Sequence, residues 1–285
     1  MRMHAVVTFA LSLGSACCQV EQLRPFLAED ARPPTGAALE RHLDTLDGLL
    51  DHPDPKLRDD LGYTLLARWI GKDGAVPDAQ LRQRLQRWQP RLAAPGDTDR
   101  AVLQRSFAAL SLALLVARDN QHPYLDRARF DGLLQATLAY FARQRDERGY
   151  DEQLGWVHSI AHTADLLKFL GRSRHLQPAQ QRQILDAIRE RLGRVRRTFS
   201  AGEDGRLVRT VLALIDRDDF DAEAYSAWTR ALLQPPTFAS TSHRIAFGQN
   251  RLHVVTGLFA QLALDREPSE GRKRALAATR LLLGG

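Results

Sequence analysis

Two histidines and an aspartate follow one another at helical spacing in the middle of the chain. His158 and His162 are four residues apart, and Asp165 follows three residues later. On a helix, which turns about 100° per residue, these three side chains share an arc of roughly 60°. Two imidazoles at this spacing chelate zinc in known motifs, and the carboxylate of Asp165 would supply an oxygen ligand. The spacing therefore predicts a divalent metal site as one interpretation.

The same three residues allow two other interpretations. Without a metal, His158, His162 and Asp165 would serve ligand binding or a hydrolase-type reaction. The general base would be Glu147, Asp151, Glu152 or a carboxylate of the turn over 202–205, such as Glu203. Alternatively, they would form a polar network on the surface of the helix. In that network His162 and Asp165 would make a pair worth about 0.2–0.5 kcal/mol. The sequence leaves all three interpretations open.

Candidate ligand-binding residues lie in two glycine-containing motifs around this segment. The first motif, Arg148-Gly-Tyr-Asp-Glu-Gln-Leu-Gly-Trp156, contributes Tyr150, Asp151 and Trp156. The second, Gly202-Glu-Asp-Gly-Arg-Leu207, contributes Arg206, whose guanidinium can bind a carboxylate of the segment over 148–165 or an anionic ligand through two parallel hydrogen bonds. Asp204 of the second motif is expected to cap the helix that follows.

The local pattern places the polar trio on a helix. Gly149 is expected to end the preceding helix in the left-handed conformation, and the next helix is expected to run from about residue 156 to residue 170. The apolar side chains of that helix would then lie opposite the trio; they are Trp156, Ile160, Ala164 and Leu167. The trio is thus expected to point away from the main packing face.

Helical periodicity dominates the rest of the sequence. Leucines recur every three or four residues over 37–50 and again over 57–71, and turns rich in Asp and Pro separate such segments. The alternating patterns of strands are essentially missing. We therefore predict an all-α fold, an irregular superhelix of antiparallel helical hairpins similar to a HEAT-like α-solenoid or an α/α toroid, with residues 19–285 as one domain.

Composition limits the classes of partner. The 285 residues are 44% hydrophobic and carry a formal net charge of +6, but the chain has only four lysines, and acidic residues are interspersed among the arginines. An arginine-rich helix over 189–197 keeps an ordinary apolar stripe, which favours a solvated face. Nucleic acid is therefore not an expected partner.

The first residues have the order of an export signal. Arg2 precedes a short apolar run over 5–13, and small residues follow at 14–16. We predict an export signal over 1–16, a periplasmic or secreted protein, and a lipid anchor at Cys17 as an alternative form; a buried first helix is the other interpretation. No later segment reads as membrane-spanning.

The motif blocks resemble those of a known family. The blocks are Arg148-Gly-Tyr150, Gly155-Trp-x-His158-x-x-Ala-His162-x-x-Asp-Leu-Leu167 and Gly202-Glu-Asp-x-Arg-Leu207. They are similar to the signature blocks of the bacterial family catalogued as domain of unknown function 2785. The resemblance implies a helical superhelix and marks these blocks as important, but it supplies no mechanism.

Two classes of function follow as expectations. In the first, the protein recognises an envelope component, a peptide, glycan or small molecule, in a groove that the polar trio lines. In the second, it is a hydrolase-type enzyme, metal-dependent or metal-free, that uses His158, His162 and Asp165 with an acidic general base.

Overall fold

The computed structural model describes residues 18–283. Helices make up most of this part of the chain, as the periodicity predicts. The predicted export signal over 1–16 and the predicted lipid anchor at Cys17 lie outside the described residues. In chain order the helices are α1 (Gly36–Leu49), α2 (56–72, with π-helical turns over Lys56–Tyr63 and Ala67–Lys72), α3 (Asp78–Trp88), α4 (Asp99–Gln121), α5 (Arg127–Arg143), α6 (Ser159–Gly171), α7 (Pro178–Arg194), α8 (Glu203–Ile215), α9 (Ala222–Leu232), α10 (Thr241–Ala263) and α11 (Glu270–Leu283).

Short polar side chains begin several of these helices. The side chains of Thr98, Asp126, Asp221 and Ser240 each accept a hydrogen bond from a backbone N–H in the first turn of α4, α5, α9 and α10. Such caps satisfy N–H groups that have no partner within a helix. The all-α prediction is confirmed for the described residues at the level of fold class.

A two-stranded antiparallel hairpin interrupts the helices between α5 and α6. Strand β1 (Tyr150–Asp151) pairs with β2 (Gly155–Trp156), with Tyr150 opposite Trp156. The prediction that a helix starts at Trp156 is therefore wrong, since α6 begins at Ser159. Gly155 has φ +70°, a conformation that turns the chain at the second strand and excludes helix there.

Helices that are two apart in the chain pack side by side. The most extensive helix contact joins α4 to α6, and α6 also packs on α8, which packs on α10. On the other side α5 packs on α7, and α7 on α9. One cluster of buried apolar side chains runs through all of them, from Leu23 to Ala278. Helix α6 therefore lies between α4 and α8.

Helix α4 has the length and apolar composition of a membrane-spanning helix. However, 72% of its apolar window is buried within the fold. Core helices of water-exposed proteins pass the same test, so α4 is weak evidence for a membrane span.

Candidate functional site

The predicted polar trio lies inside the protein rather than on its surface. His158, His162 and Asp165 are 7%, 4% and 6% exposed. The expectation that they point away from the packing face is wrong, and so is the surface-network interpretation in its original form. The reason is tertiary: α4, α5 and α8 cover α6 from several sides, so the helix has little free face.

His158 sits immediately before α6 in a left-handed backbone conformation. Its φ of 47° is the only positive φ of a non-glycine residue within 18–283. The imidazole stacks on the indole of Trp156, with 4.4 Å between ring centroids and 2° between ring planes. The backbone N–H groups of Val157 and His158 both donate to the carbonyl of Gly149, at 2.9 and 3.1 Å. These bonds hold the turn that leads from β2 into α6.

Gly149 does not end a helix; it lets two segments of the chain approach each other closely. Helix α5 already ends at Arg143, and Gly149 does not have the left-handed conformation predicted for it. A Cβ at this position would lie 2.3 Å from the Cβ of Ala201 and 2.4 Å from Oε1 of Glu203. The absence of a side chain therefore lets the base of the hairpin touch the residues that begin α8.

His162 has a fixed tautomer. The hydroxyl Oγ of Ser106 lies 2.5 Å from the carbonyl oxygen of Val157 and 2.8 Å from Nδ1 of His162. Since a carbonyl can only accept, Ser106 donates to Val157, and Nδ1–H of His162 must donate to Ser106. The unprotonated nitrogen of this ring is then Nε2.

Both imidazoles of the trio are neutral near pH 7. Burial, assisted by the positive charge of Arg206, lowers the pKa of His158 to about 4. Burial also lowers the pKa of His162 well below its usual range, and the neighbouring His158 and Arg206 act in the same direction. Nδ1 of His158 is buried and has no hydrogen-bond partner among the described residues.

Asp165 pairs with cations instead of with His162. One carboxylate oxygen accepts from Arg206 on α8, and the other accepts from Nζ of Lys168 at 3.0 Å. Arg206 thus contacts a carboxylate of the segment over 148–165, as its motif predicts. Within the described residues no three His, Cys, Asp or Glu side chains are placed to hold a metal ion. The metal interpretation of the trio therefore gains no geometric support.

Sequence reasoning missed two residues of α2 that complete the surroundings of the trio. Arg58, which is fully buried, donates to the carbonyls of Leu154 and Trp156, at 2.6 and 3.4 Å, and so clamps the hairpin. Burial raises the pKa of Tyr63, the charge of Asp165 raises it further, and the charge of Arg206 opposes the rise. Both residues lie roughly a hundred positions before the trio, so no local pattern connects them to it.

A polar cavity opens beside the hairpin, with a volume of about 480 Å³. Its walls are Glu147, Arg148, Gly149, Tyr150, Trp156, Arg197, Thr198, Ser200, Ala201 and Glu203. Tyr150 and Trp156 are 51% and 45% exposed and meet edge to face with 4.9 Å between centroids. Glu203 is only 3% exposed, and its Oε2 accepts from the N–H of Ala201 at 2.9 Å. Three predicted site residues, Tyr150, Trp156 and Glu203, therefore line one cavity.

The segment that carries this site matches a family. Residues 94–264 match the family described as Protein of unknown function (DUF2785). The chain belongs to the DUF2785 family. No curated protein and no solved structure matches the chain. The DUF2785 match contains the trio, the hairpin and the start of α8, and it leaves Arg58 and Tyr63 outside its limits.

The carboxylate of Asp151 binds groups within the hairpin itself. Its Oδ1 accepts from the N–H groups of Gln153 and Leu154, which lowers its pKa, and its Oδ2 accepts from Arg148 at 3.1 Å. Arg148 also binds Asp99 and Asp146. The carboxylate predicted to bind ligand thus closes the turn between the strands and holds Arg148 at the cavity wall.

Proposed function

We propose that this DUF2785 protein binds a saccharide-type ligand in the cavity at Tyr150 and Trp156. The observation that carries the proposal is the half-exposed aromatic pair at the rim of a cavity whose other walls are mainly polar. The faces of such rings pack against the C–H groups of a sugar. Carboxylate, guanidinium and hydroxyl groups then exchange hydrogen bonds with its hydroxyls.

The rigidity of the rim supports the proposal. The ring of Trp156 rests flat on His158, and the backbone carbonyl of Trp156 accepts from the buried guanidinium of Arg58. An aromatic side chain that is already fixed loses little rotamer freedom when a ligand covers it. Under this proposal His158 is a positioning residue, and its low pKa keeps the stacked pair uncharged across the physiological range.

The proposal extends to architecture and location. We infer that residues from 19 onward form one irregular superhelix of stacked hairpins, because helices two apart in the chain pack side by side. The export signal predicted over 1–16 would carry the protein to the periplasm or outside the cell, with Cys17 as the site of a lipid anchor in the alternative form. The ligand would then be a glycan of the cell envelope.

Hydrolysis is the second candidate. Two carboxylates, Glu147 and Glu203, line the same cavity, and glycoside hydrolysis usually requires such a pair. However, the carboxylate of Glu147 accepts from the backbone N–H groups of Arg196 and Arg197 at 3.0–3.2 Å. An oxygen engaged in this way is a poor proton carrier, so binding without turnover is the better supported function.

Calorimetric titration of the purified protein with peptidoglycan fragments and neutral oligosaccharides tests the proposal. We expect the variant Trp156→Ala to bind at least about tenfold more weakly, since burial of an aromatic side chain contributes about 1.5–3 kcal/mol. The matched control is Leu252→Ala, a half-exposed apolar residue on α10, which should bind as the wild type does. Equal affinity of wild type and Trp156→Ala for every sugar, or no binding by either, would sink the proposal. Release of reducing ends during incubation would favour the hydrolase.

A further inference from the structure

A second cavity, which the proposed saccharide site does not use, is lined mainly by arginines. It has a volume of about 630 Å³ and lies where α5 and α7 end. Its walls are Ala142, Arg143, Gln144, Arg145, Glu147, Arg191, Arg194 and Arg196. Five of these eight residues are arginines and one is acidic, so the cavity has a strongly cationic lining.

Three of these arginines donate hydrogen bonds to backbone carbonyls near helix ends. Nη1 of Arg191 donates to the carbonyl of Gln144 at 2.8 Å, and Nη1 of Arg194 donates to the carbonyl of Ala142 at 2.7 Å. Arg143 donates in the same way to Leu92. Cations at the last carbonyls of a helix are favourable. Each guanidinium has five N–H donors, however, so capping leaves most of them available.

The local charges do not cancel. Glu147 is the acidic group of the cavity wall, and Glu190 pairs with Arg194 at 3.1 Å. The two helix ends contribute about half a negative charge each. Five guanidinium groups therefore retain an excess of about two positive charges. The side chains of Arg145 and Arg196 are exposed and form no ion pair with any of residues 18–283.

Arg191 has an unused pair of donors. The residue is 3% exposed, and its Nε and Nη2 have no hydrogen-bond partner among the described residues. These two nitrogens form the edge of the guanidinium that binds the two oxygens of an oxyanion in parallel. The guanidinium stacks on the ring of Phe141 at 5.0 Å, and burial lowers its pKa to about 10. Because burial disfavours the charged guanidinium, an anion beside Arg191 would favour it.

We propose that this arginine cavity binds a tetrahedral oxyanion of the phosphate or sulfate type, through Arg191 at its wall and Arg145 and Arg196 at its mouth. The oxyanion would be a free ion or an ester group on a larger ligand. The proposal is independent of saccharide binding. Glu147 borders both cavities.

Calorimetric titration of the full chain at low ionic strength tests the proposal, with inorganic phosphate, inorganic sulfate, glucose 6-phosphate and glucose as separate probes. We expect phosphate to bind and glucose not to bind at this site. Arg145→Gln and Arg196→Gln should each weaken phosphate binding about tenfold, the typical effect of losing one charge-assisted hydrogen bond. The matched control, Arg209→Gln, removes an exposed arginine of α8 outside the cavity and should change affinity less than twofold.

Each outcome decides a specific point. Tighter binding of glucose 6-phosphate than of inorganic phosphate would identify an ester group as the natural ligand, and the reverse order would identify a free ion. Absence of phosphate binding at low salt would overturn the proposal, as would an equal loss of affinity in Arg209→Gln. The variant Trp156→Ala should keep full phosphate affinity, so failure of the saccharide proposal would leave this one standing.

Discussion

The imidazole of His158 lies flat against the indole of Trp156, with 2° between the ring planes, while the backbone of His158 is left-handed with φ 47°. A histidine in this conformation is strained, and the contact that it makes places an exposed aromatic ring at the cavity rim. Stability is therefore given up locally for the position of one side chain.

The backbone conformation of His158 can be tested with two small residues. His158→Ala and His158→Gly both remove the stacked ring, but only glycine adopts a positive φ without steric cost. We expect the glycine variant to be more stable than the alanine variant by about 1 kcal/mol. Urea denaturation measures the difference. Equal stabilities would show that the turn relaxes when the ring is removed.

Gly149 should not tolerate a side chain. We expect Gly149→Ala to lower the free energy of unfolding by more than about 1 kcal/mol, since the new methyl group meets Ala201 and Glu203 at 2.3–2.4 Å. The control is Gly205→Ala on α8, where a Cβ meets nothing within 4 Å. That change should be neutral or stabilise by up to about 1 kcal/mol. Thermal denaturation compares the two, and a neutral Gly149→Ala would contradict the packing described.

The buried histidines predict a loss of stability in mild acid. The pKa of His158 is about 4 in the folded protein and about 6.5 in the unfolded chain. As the pH falls from 6.5 to 4, the unfolded chain takes up the proton first, so stability present above pH 6.5 is lost, up to about 3 kcal/mol. Urea titrations across this range measure the decline, to which His162 adds.

The variant His158→Gln isolates the contribution of His158 to this loss of stability in acid. In His158→Gln the decline between pH 6.5 and pH 4 should be smaller, while His162 keeps part of it. The control His122→Gln removes an exposed histidine and should leave the decline unchanged. A pH profile identical in wild type and His158→Gln would contradict the lowered pKa.

The ion pair of Asp165 predicts a destabilised amide variant. Asp165→Asn removes the charge that Arg206 and Lys168 share, and we expect the free energy of unfolding to fall by about 1–3 kcal/mol. The exposed pair of Glu270 and Lys273 provides the comparison, where Glu270→Gln should lower the free energy of unfolding much less, because solvent screens the pair. Similar losses in both variants would show that burial adds nothing to the Asp165 pair.

Metal addition separates the remaining interpretations of the trio. Because Asp165 is engaged by two cations and Nδ1 of His162 by Ser106, we expect no increase in Tm on addition of Zn²⁺ or Mn²⁺. A metal that binds only the folded protein would raise Tm in proportion to its free concentration. Such a rise in the wild type, absent from a His162→Gln variant, would restore the metal site.

The sequence predicts the helices well and the buried polar site poorly, for a physical reason. Helical periodicity records which side chains face the core, so the segments over 37–50 and 57–71 correspond to α1 and α2. Strands of two residues are too short to show alternation, so the pattern predicts a loop at Tyr150 and a helix from Trp156 in place of the hairpin. Burial of the trio depends on neighbours from other parts of the chain.

The candidate site, too, is predicted only in part from the sequence. The blocks at 148–167 and 202–207 predict Tyr150, Trp156 and Glu203 as site residues, and these three line one cavity. Of the two histidines, His158 contacts the aromatic rim, through its stacking on Trp156. The catalytic roles of His158, His162, Asp165 and Glu203 stay predictions. No pattern points to Ser106 or Arg58, because a single serine or arginine within a helix carries no local signal.

The hydrogen bonds from Arg58 to the carbonyls of Leu154 and Trp156 join a residue outside the family match to residues inside it. Arg58 lies ahead of residue 94, where the family match begins, while the hairpin that it fastens lies within the match. The stretch by which relatives are recognised is thus smaller than the unit that shapes the cavity. A transplant of residues 94–264 into another scaffold would carry the aromatic rim but not Arg58, which holds the hairpin. Evolutionary exchange of this stretch would therefore have to preserve a guanidinium that it does not itself encode.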